Sequence, residues 1–258
     1  MTDKNKKNIL VVDDEITVCK SIRQAIAGDE YEIDLALSGE EALKKDDEKK
    51  YDLIITDLMM PGISGLDLLK GIKDKNSKAK VIMVTGYPTI KTAVQSVKMG
   101  AFDYLPKPFT PADLRSLVSR AFKAAVSEER GEEGIEAVEM PAGLYYMLGH
   151  AWVKKEAGGQ ATIGVLNDFL KSVGIITQVD LPNIGDKVSQ GEVCGKVMDA
   201  EKFVHRIWSP ATGRVVETNI KLKEDQSLLR KNPYQEGWLF RIEPTDLEED
   251  LKGLILSK

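Results

Sequence analysis

The sequence is poor in two residue types that often mark functional sites. Its 258 residues include only two cysteines, Cys19 and Cys194, and two histidines, His150 and His205. The cysteines lie far apart, each in an apolar stretch, so we interpret them as buried thiols of a reduced compartment rather than as a disulfide. The histidines have no metal-ligand partners in any local motif and are predicted to be structural.

The sequence also lacks long apolar runs and an excess of positive charge. No uninterrupted apolar segment approaches the roughly 20 residues of a membrane-spanning helix. The N-terminal sequence MTDKNKKN is polar and lacks the apolar region of a signal peptide. The 36 basic and 41 acidic residues give a net charge of -5, which does not favour nucleic acid. We therefore expect a cytoplasmic protein with no membrane or nucleic-acid partner.

Strand and helix patterns alternate through the first half of the sequence. From about residue 8 to residue 125, short β-type runs are separated by amphipathic stripes, which indicates βα repeats around a parallel sheet. The predicted strands are Ile9–Val12, Glu32–Leu35, Leu53–Asp57, Val81–Thr85 and Asp103–Leu105. Five strands with helices between them, in this length, predict a doubly wound α/β domain.

Polar residues follow these predicted strands at their carboxyl ends. They are Asp13 and Asp14 after the first strand, Asp57 and Thr85 at the ends of the third and fourth, and Lys107 after the fifth. Because the carboxyl ends of parallel strands share one edge of a sheet, we expect these side chains to meet there. Three carboxylates would repel one another unless a divalent cation or a phosphoryl group joined them. The pattern therefore predicts magnesium-assisted phosphorylation of an aspartate.

The segments VVDDE, IITDLMMPGISGLDLL, VIMVTGY and YLPKPF carry a family resemblance. Over roughly residues 6 to 125 the sequence resembles the receiver domain of response regulators in two-component signalling. The resemblance implies a flavodoxin-like fold with strand order 2-1-3-4-5. It also implies phosphorylation by a histidine kinase or a phosphotransfer protein.

The resemblance gives a role to each polar residue at the sheet edge. Asp57 would be the phosphoacceptor, because an ionised carboxylate oxygen can attack phosphorus in line. Mg²⁺ would be held by Asp13, Asp14, Asp57 and the backbone carbonyl of Met59. Lys107 would pair with Asp57 before phosphorylation and with a phosphoryl oxygen afterwards.

Two further residues would respond to the phosphoryl group. Thr85 offers a hydroxyl that could reorient toward it, and Tyr104 matches the aromatic switch position that turns inward behind that threonine. The segment PTIKTAVQSVKMGAFDYLPKPFTPADL resembles the face that response regulators use for dimerisation and output. We therefore expect a homodimer through the fourth helix and fifth strand; the alternative is a plain amphipathic helix and loop.

The composition changes after residue 126. The stretch SEERGEEGIEAVEM is highly charged and predicts a helix extension or a linker over residues 127–141, between domains at 1–126 and 142–258. Beyond it, short β-type runs and turn residues predict a mainly antiparallel sheet, as a sandwich or flattened barrel. The segments VLNDFLKSV and DLEEDLKGLIL are predicted to be helices.

The second half resembles the H protein of the glycine cleavage system, a relative of lipoyl and biotinyl carrier domains. The resemblance covers residues 146 to 256 and depends on HAWVKKEAGGQATIGVLNDF, DLPNIGDKVSQGEVCGKV, IWSPATGRVVETN and NPYQEGWLFRIEP. It implies a β barrel-sandwich hybrid with flanking helices. Because no helix-turn-helix or basic recognition helix is present after residue 140, we expect an output other than DNA binding.

A carrier of this kind needs a lysine at the tip of an exposed hairpin. Counting back from Pro210 puts Lys202 at that position, with Asp199 where a glutamate is usual. Counting forward from Gly191 puts Glu201 at the tip instead. A one-residue offset exchanges the faces of a strand unless a bulge absorbs it. Lys202 is thus a candidate for lipoyl attachment, and the alternative is a solvated surface lysine.

Three functions are compatible with these patterns. The first is a signalling protein, with no enzymatic activity beyond slow autophosphorylation and autodephosphorylation, in which the receiver controls an H-protein-like domain that binds an unknown protein partner. The second is a carrier of one-carbon or acyl metabolism, lipoylated on Lys202 and gated by phosphorylation. The third is a receiver that acts as a phosphate sink with an inert appendage.

Overall fold

The structure divides the chain into two compact units, Met1–Ala125 and Val126–Lys258. The computed structural model describes residues 6–75, 78–87, 90–130, 139–147 and 149–258, and it describes residues 90, 91, 94 and 126–130 by their backbone only. Within these residues no helix has the length and apolar character needed to cross a membrane.

The first unit is a five-stranded parallel sheet. Its strands are β1 (Lys7–Val12), β2 (Tyr31–Ala36), β3 (Leu53–Asp57), β4 (Lys80–Thr85) and β5 (Asp103–Pro106). The helices that alternate with them are α1 (Ile16–Ile26), α2 (Gly39–Glu48), α3 (Gly65–Asp74), α4 (Ile90–Lys98) and α5 (Pro111–Arg130). The strand order is β2-β1-β3-β4-β5 and the described pairings are parallel, so the predicted fold of this unit is confirmed.

Alternating side chains of the strands contribute to two separate apolar cores. In β1, Leu10 and Val12 belong to the core that contains residues of α2 and α3, whereas Ile9 and Val11 belong to the core that contains residues of α1 and α5. Successive side chains of a strand point to opposite faces of the sheet. A strand buried on both faces therefore has an unbroken apolar sequence, such as ILVV in β1 and VIMV in β4.

The loop after β3 is fixed where it meets α3. Ser64 accepts a hydrogen bond from the backbone N–H of Asp67, and the Asp67 carboxylate accepts one from the backbone N–H of Ser64. A capping box of this kind stabilises a helix by about 1 kcal/mol. A Cβ at Gly65 would collide with the carbonyl oxygen of Asp57, so glycine allows α3 to start close against the end of β3.

The second unit is mainly antiparallel β structure with short helices. Its strands are β6 (Tyr145–Tyr146), β7 (Ala151–Lys155), β8 (Ala161–Val165), β9 (Ile176–Asp180), β10 (Lys187–Val188), β11 (Val193–Asp199), β12 (Val204–Trp208), β13 (Gly213–Thr218), β14 (Phe240–Pro244) and β15 (Ile255–Leu256). Its helices are α6 (Asn167–Val173), α7 (Lys221–Glu224), α8 (Leu228–Lys231) and α9 (Leu247–Leu251). A seven-stranded sheet has the order β10-β13-β14-β8-β7-β6-β15, and a three-stranded sheet has the order β12-β11-β9.

One apolar core joins the two sheets of the second unit. It contains Ile163 and Ile242 from the seven-stranded sheet and Val197 and Ile207 from the three-stranded sheet. Two sheets that share a core in this way form a sandwich. The predicted antiparallel class of this unit is therefore confirmed.

The structure differs from the sequence prediction at the C-terminus. The segment DLEEDLKGLIL was predicted as one helix, but α9 ends at Leu251, and β15 then pairs with β6. Leu251 and Leu254 both enter the core, so tertiary packing and strand pairing override the helical spacing. Helices α7 and α8 were not predicted, because four residues are too few to show a helical stripe.

The charged stretch is partly helical. Helix α5 continues to Arg130, so the first residues of the predicted segment 127–141 extend a helix. Residues 131–138 of that segment lie outside the described part of the chain. The domain limits at residues 126 and 142 stay predictions.

Candidate functional site

Four neighbouring strands bring the predicted polar residues of the first unit to one edge of the sheet. Asp13 follows β1, and Asp57 ends β3. Thr85 ends β4, and Lys107 directly follows β5. The peptide bond between Lys107 and Pro108 is cis. Because β1, β3, β4 and β5 are adjacent and parallel, their carboxyl ends lie side by side.

Two buried carboxylates converge on one ammonium group at this edge. Nζ of Lys107 donates to Oδ1 of Asp57 at 2.7 Å and to Oδ2 of Asp13 at 2.9 Å. Asp13 and Asp57 are only 2% and 7% exposed, so water screens their charges poorly. Burial alone would lower the pKa of Lys107, but hydrogen bonds and charge from the two carboxylates outweigh it and raise the pKa. The lysine is therefore charged and holds the carboxylates together.

The other oxygen of each carboxylate accepts a backbone hydrogen bond. Oδ2 of Asp57 accepts from the N–H of Met59 at 2.5 Å, and Oδ1 of Asp13 accepts from the N–H of Glu15 at 2.9 Å. Each carboxylate is thus held on two sides, by Lys107 and by the loop that follows its own strand. Their orientation is fixed before any ligand arrives.

This pair of carboxylates suits a divalent cation. An ammonium group already bridges Asp13 and Asp57, and Mg²⁺ prefers oxygen ligands of this kind. The described residues contain no group of three or more His, Cys, Asp or Glu side chains arranged around a metal position. Asp14 is exposed, and the contact of Met59 with Asp57 is through its N–H rather than its carbonyl. The structure therefore brings together two of the three predicted acidic ligands.

Thr85 and Tyr104 are buried on neighbouring strands. The Oγ1 atom of Thr85 accepts from the N–H of Tyr87 at 3.1 Å, and its carbonyl oxygen accepts from the N–H of Lys107 at 2.7 Å. Tyr104 is 5% exposed, and its hydroxyl lies 3.1 Å from the hydroxyl of Thr92 on α4. The aromatic ring at the predicted switch position is therefore inside the protein.

In the second unit, β11 and β12 form a hairpin whose loop contains Lys202. The loop comprises residues 200–203, between Asp199 and Val204. Lys202 is exposed and has a φ of 68°, the one positive φ at a non-glycine residue in the described part of the chain. The register of β11 against β12 shifts between Val193 and Gly195, and such a bulge absorbs a one-residue offset.

The carboxylate of Asp199 accepts hydrogen bonds from the backbone of this loop. Its Oδ1 atom accepts from the N–H of Glu201 at 3.0 Å and from the N–H of Phe203 at 2.9 Å. Its Oδ2 atom lies 3.1 Å from Nε2 of His205, and both side chains are 1% exposed. Glu201, the alternative tip residue, is exposed beside Lys202, but Lys202 is the residue in the left-handed conformation.

Comparison with known proteins assigns each unit to a family. Residues 9–119 match the family model of the response regulator receiver domain, and residues 144–258 match that of the glycine cleavage H-protein. The chain joins a receiver domain to an H-protein domain. The glycine cleavage system H protein of Marinobacter nauticus is 34% identical over 45% of this chain and 88% of its own length. That of Escherichia coli is 36% identical over 45% of this chain and 88% of its own length.

Solved structures are similar to each domain separately. The receiver domain of a Francisella response regulator is 30% identical, with a TM-score of 0.44, over 46% of this chain and 98% of that one. A glycine cleavage system H protein from Mycobacterium marinum is 32% identical, with a TM-score of 0.38, over 41% of this chain and 87% of that one. The fold of each domain is established by its own strand order and pairings.

A buried ion pair in the receiver domain was not predicted from the sequence. Arg120 on α5 donates to Oδ2 of Asp103 on β5, and the two side chains are 2% and 1% exposed. The other oxygen of Asp103 accepts from the N–H of Tyr104 at 2.6 Å. The sequence feature that could have indicated this ion pair was an aspartate in a short strand of otherwise uncharged residues.

The two histidines of the H-protein domain are both buried. The ring of His150 lies 6.2 Å from that of Phe169 and 6.5 Å from that of Trp208, which agrees with a structural role. His205 was also predicted to be structural, and its pairing with Asp199, six residues earlier, was not foreseen. The missed signal was an acid and a histidine on opposite sides of a tight hairpin.

Proposed function

We propose that the protein is a two-component response regulator, phosphorylated on Asp57 by a histidine kinase or phosphotransfer protein with Mg²⁺. The observation that carries this proposal is the convergence of the Asp57 and Asp13 carboxylates on the ammonium group of Lys107. A phosphoryl group on Asp57 would sit where positive charge is already held in place. Preorganised charge of this kind stabilises the transferring group without further rearrangement.

Asp57 supplies the nucleophile. One carboxylate oxygen bonds to phosphorus while the bond from phosphorus to the donor's leaving group breaks, which gives an acyl phosphate. Lys107 then exchanges its contact with Asp57 for one with a phosphoryl oxygen, and the hydroxyl of Thr85 turns toward another. Mg²⁺, when bound, would neutralise charge on the phosphoryl group. The residues that would hold it are Asp13, Asp14, Asp57 and the backbone carbonyl of Met59.

The H-protein domain is the output in this proposal. Phosphorylation biases an equilibrium between two receiver conformations, and the H-protein domain changes its binding of a protein partner in response. The formation of a homodimer through α4 and β5 is a second way for phosphorylation to act on the H-protein domain. With 36 basic and 41 acidic residues, the chain has no excess of cations for DNA phosphates.

In this proposal the protein acts in signalling and has no enzymatic activity beyond slow autophosphorylation and autodephosphorylation.

Both cysteines are free and buried. Burial raises the pKa of the Cys194 thiol to about 12, so it stays protonated and unreactive. Thiols of this kind fit a reduced compartment, and we propose the cytoplasm.

The test is phosphorylation by a small acyl phosphate in the presence of Mg²⁺, followed by intact mass. We expect one hydroxylamine-labile phosphoryl group on the wild-type protein and none on Asp57→Asn. Asp52→Asn is the matched control, because Asp52 lies just before the opposite end of β3, and it should be labelled normally. A chelator should stop the labelling. Phosphate uptake by Asp57→Asn at the wild-type rate would show that the assignment is wrong.

The conformation of Lys202 favours a second function, a lipoyl carrier of one-carbon or acyl metabolism gated by phosphorylation. Lys202 is exposed at the hairpin tip in a left-handed conformation, and within the described residues its ammonium group forms no hydrogen bond or ion pair. A lipoyl group joined to Nζ by an amide bond could therefore extend into solvent.

Expression with a lipoate–protein ligase and lipoate, followed by intact mass, tests the second function. A carrier should gain one lipoyl group, and Lys202→Arg should abolish the gain. Lys196→Arg is the control, because Lys196 is an exposed lysine of the same hairpin. An unmodified wild-type protein would exclude the carrier and leave partner binding as the function of the H-protein domain.

A further inference from the structure

We propose that Asp199 and His205 are positioning residues, which hold Lys202 in the conformation that a lysine-acylating enzyme recognises. The proposal rests on the second function above, the lipoyl carrier. Its basis is a buried carboxylate whose hydrogen bonds reach the residues on both sides of an exposed lysine.

Three consecutive N–H groups of the loop are bound by one residue. The carboxylate of Asp199 accepts from the N–H groups of Glu201 and Phe203 at 3.0 Å and 2.9 Å. The carbonyl oxygen of Asp199 accepts from the N–H of Lys202 at 3.0 Å. The N–H of Asp199 donates in turn to the carbonyl of Phe203, also at 3.0 Å. The residues before, at and after the tip are thus all fixed by Asp199.

His205 orients the carboxylate that does this. Its Nε2 atom lies 3.1 Å from Oδ2 of Asp199, which leaves Oδ1 to face the loop. Both residues are buried, and a buried carboxylate needs hydrogen-bond partners on both oxygens. His205 belongs to β12, where it pairs with Val197 of β11, so the support comes from the paired strands rather than from the loop.

The carbonyl of Asp199 has a second anchor. The hydroxyl of Thr177 on β9 is shared between this carbonyl, at 3.3 Å, and that of Met198, at 3.2 Å. The N–H of Ala200 donates to the carbonyl of Ile175 at 2.9 Å. The base of the loop is therefore joined to the third strand of the sheet as well. Asp199 thus has contacts with both neighbouring strands of the sheet, and these contacts fix the position of the loop that it holds.

The left-handed conformation of Lys202 is the feature that this arrangement maintains. A residue with a Cβ disfavours positive φ, so a loop released from Asp199 would leave this conformation. The Cα–Cβ bond of Lys202 would then point in another direction. An enzyme that joins Nζ to the carbonyl carbon of an acyl adenylate, with AMP leaving and Nζ losing a proton, must place that nitrogen accurately. Recognition should therefore depend on Asp199 and His205, although neither residue reacts.

The experiment measures lipoyl transfer to the full-length chain by a lipoate–protein ligase with lipoate and ATP. We expect Asp199→Ala to lower kcat/KM for the acceptor about tenfold or more, and His205→Ala to lower it less. Asp199→Asn should recover most of the rate, because its amide oxygen can still accept from Glu201 and Phe203. Asp186→Ala is the control, since Asp186 accepts from the N–H of Asn183 at 2.8 Å in another turn of the same domain.

Amide hydrogen exchange in the same variants separates positioning from general destabilisation. The amides of Glu201 and Phe203 should exchange faster in Asp199→Ala and at the wild-type rate in Asp186→Ala. Wild-type exchange at both amides in Asp199→Ala would overturn the proposal, and so would lipoylation of that variant at the wild-type rate. If the wild-type chain is not lipoylated at all, both the carrier function and the recognition role fail. Faster exchange in Asp199→Ala would then still show that Asp199 holds the loop.

Discussion

The hydroxyl groups of Tyr104 on β5 and Thr92 on α4 lie 3.1 Å apart, within hydrogen-bonding distance. Tyr104 is 5% exposed, and the strand that carries it leads to Lys107 at the phosphorylation site. This contact connects α4 with the strand that positions the site lysine. A change in the inward position of Tyr104 would therefore alter the contact with α4.

A double-mutant cycle should show that this contact stabilises the receiver domain. We expect Tyr104→Phe and Thr92→Val each to lower the free energy of unfolding by about 1 kcal/mol, because each removes one partner of a hydrogen bond. The double variant should lose less than the sum of the two single losses. Urea unfolding of the three variants measures this. Additivity within about 0.3 kcal/mol would show that the two hydroxyls do not interact.

Lys107 should stabilise the receiver domain in a pH-dependent way. Lys107→Met leaves Asp13 and Asp57 buried without a counter-charge, and we expect a loss of about 2 kcal/mol at neutral pH, after allowance for the partial exposure of the lysine. Because the pKa of Lys107 is raised above its ordinary 10.5, the difference between wild type and variant should be complete below pH 10.5. It should shrink as the pH rises through the raised pKa.

Denaturant unfolding of both proteins from neutral to alkaline pH, with and without Mg²⁺, measures these differences. Added Mg²⁺ should restore stability to Lys107→Met, because a divalent cation can replace the missing ammonium. A variant as stable as wild type at neutral pH would contradict the role given to Lys107.

The ion pair between Arg120 and Asp103 should contribute strongly to the stability of the receiver domain. Both side chains are almost completely buried, so Arg120→Leu leaves an uncompensated charge inside the protein. We expect a loss of about 3–5 kcal/mol in the free energy of unfolding. The double variant Arg120→Leu with Asp103→Asn should be more stable than the single one. Equal stability of the two would show that the buried charge is not the cause.

In the H-protein domain, Gly164 should not tolerate a side chain. A Cβ at this position would collide with the indole ring of Trp152, which is 1% exposed. Gly164→Ala should lower the free energy of unfolding by about 1–3 kcal/mol or more. Gly253→Ala is the control, because the nearest atom to its added Cβ is at an ordinary 3.8 Å. Similar melting temperatures for the two variants would contradict the collision.

Much of the receiver fold could be predicted because β1, β3 and β4 are buried on both faces. These strands are almost unbroken apolar runs, and each ends in a polar residue or is followed by one at the sheet edge. The C-terminal strand β15 could not be predicted in the same way. Two residues, Ile255 and Leu256, show no periodicity, and their pairing with β6 depends on residues more than a hundred positions away.

Site residues that strands position could be predicted better than those that a loop or a bulge positions. Asp57 and Lys107 were predicted as partners because parallel strands align their carboxyl ends. The exposure of Asp14 was not predictable, because it depends on the conformation of a loop rather than of a strand. The position of Lys202 was ambiguous by one residue, since a bulge in β11 changes the count and leaves no mark in the sequence.

Amide hydrogen exchange of the full-length protein, with and without a phosphoryl group on Asp57, tests the proposed control of the H-protein domain most directly. Asp57→Asn treated with the same acyl phosphate is the control and should show no change. We predict that exchange changes at residues 90–109, around Tyr104 and Lys107, and also at amides beyond residue 141. Changes confined to residues 1–126 would contradict this control and favour a receiver that acts only as a phosphate sink.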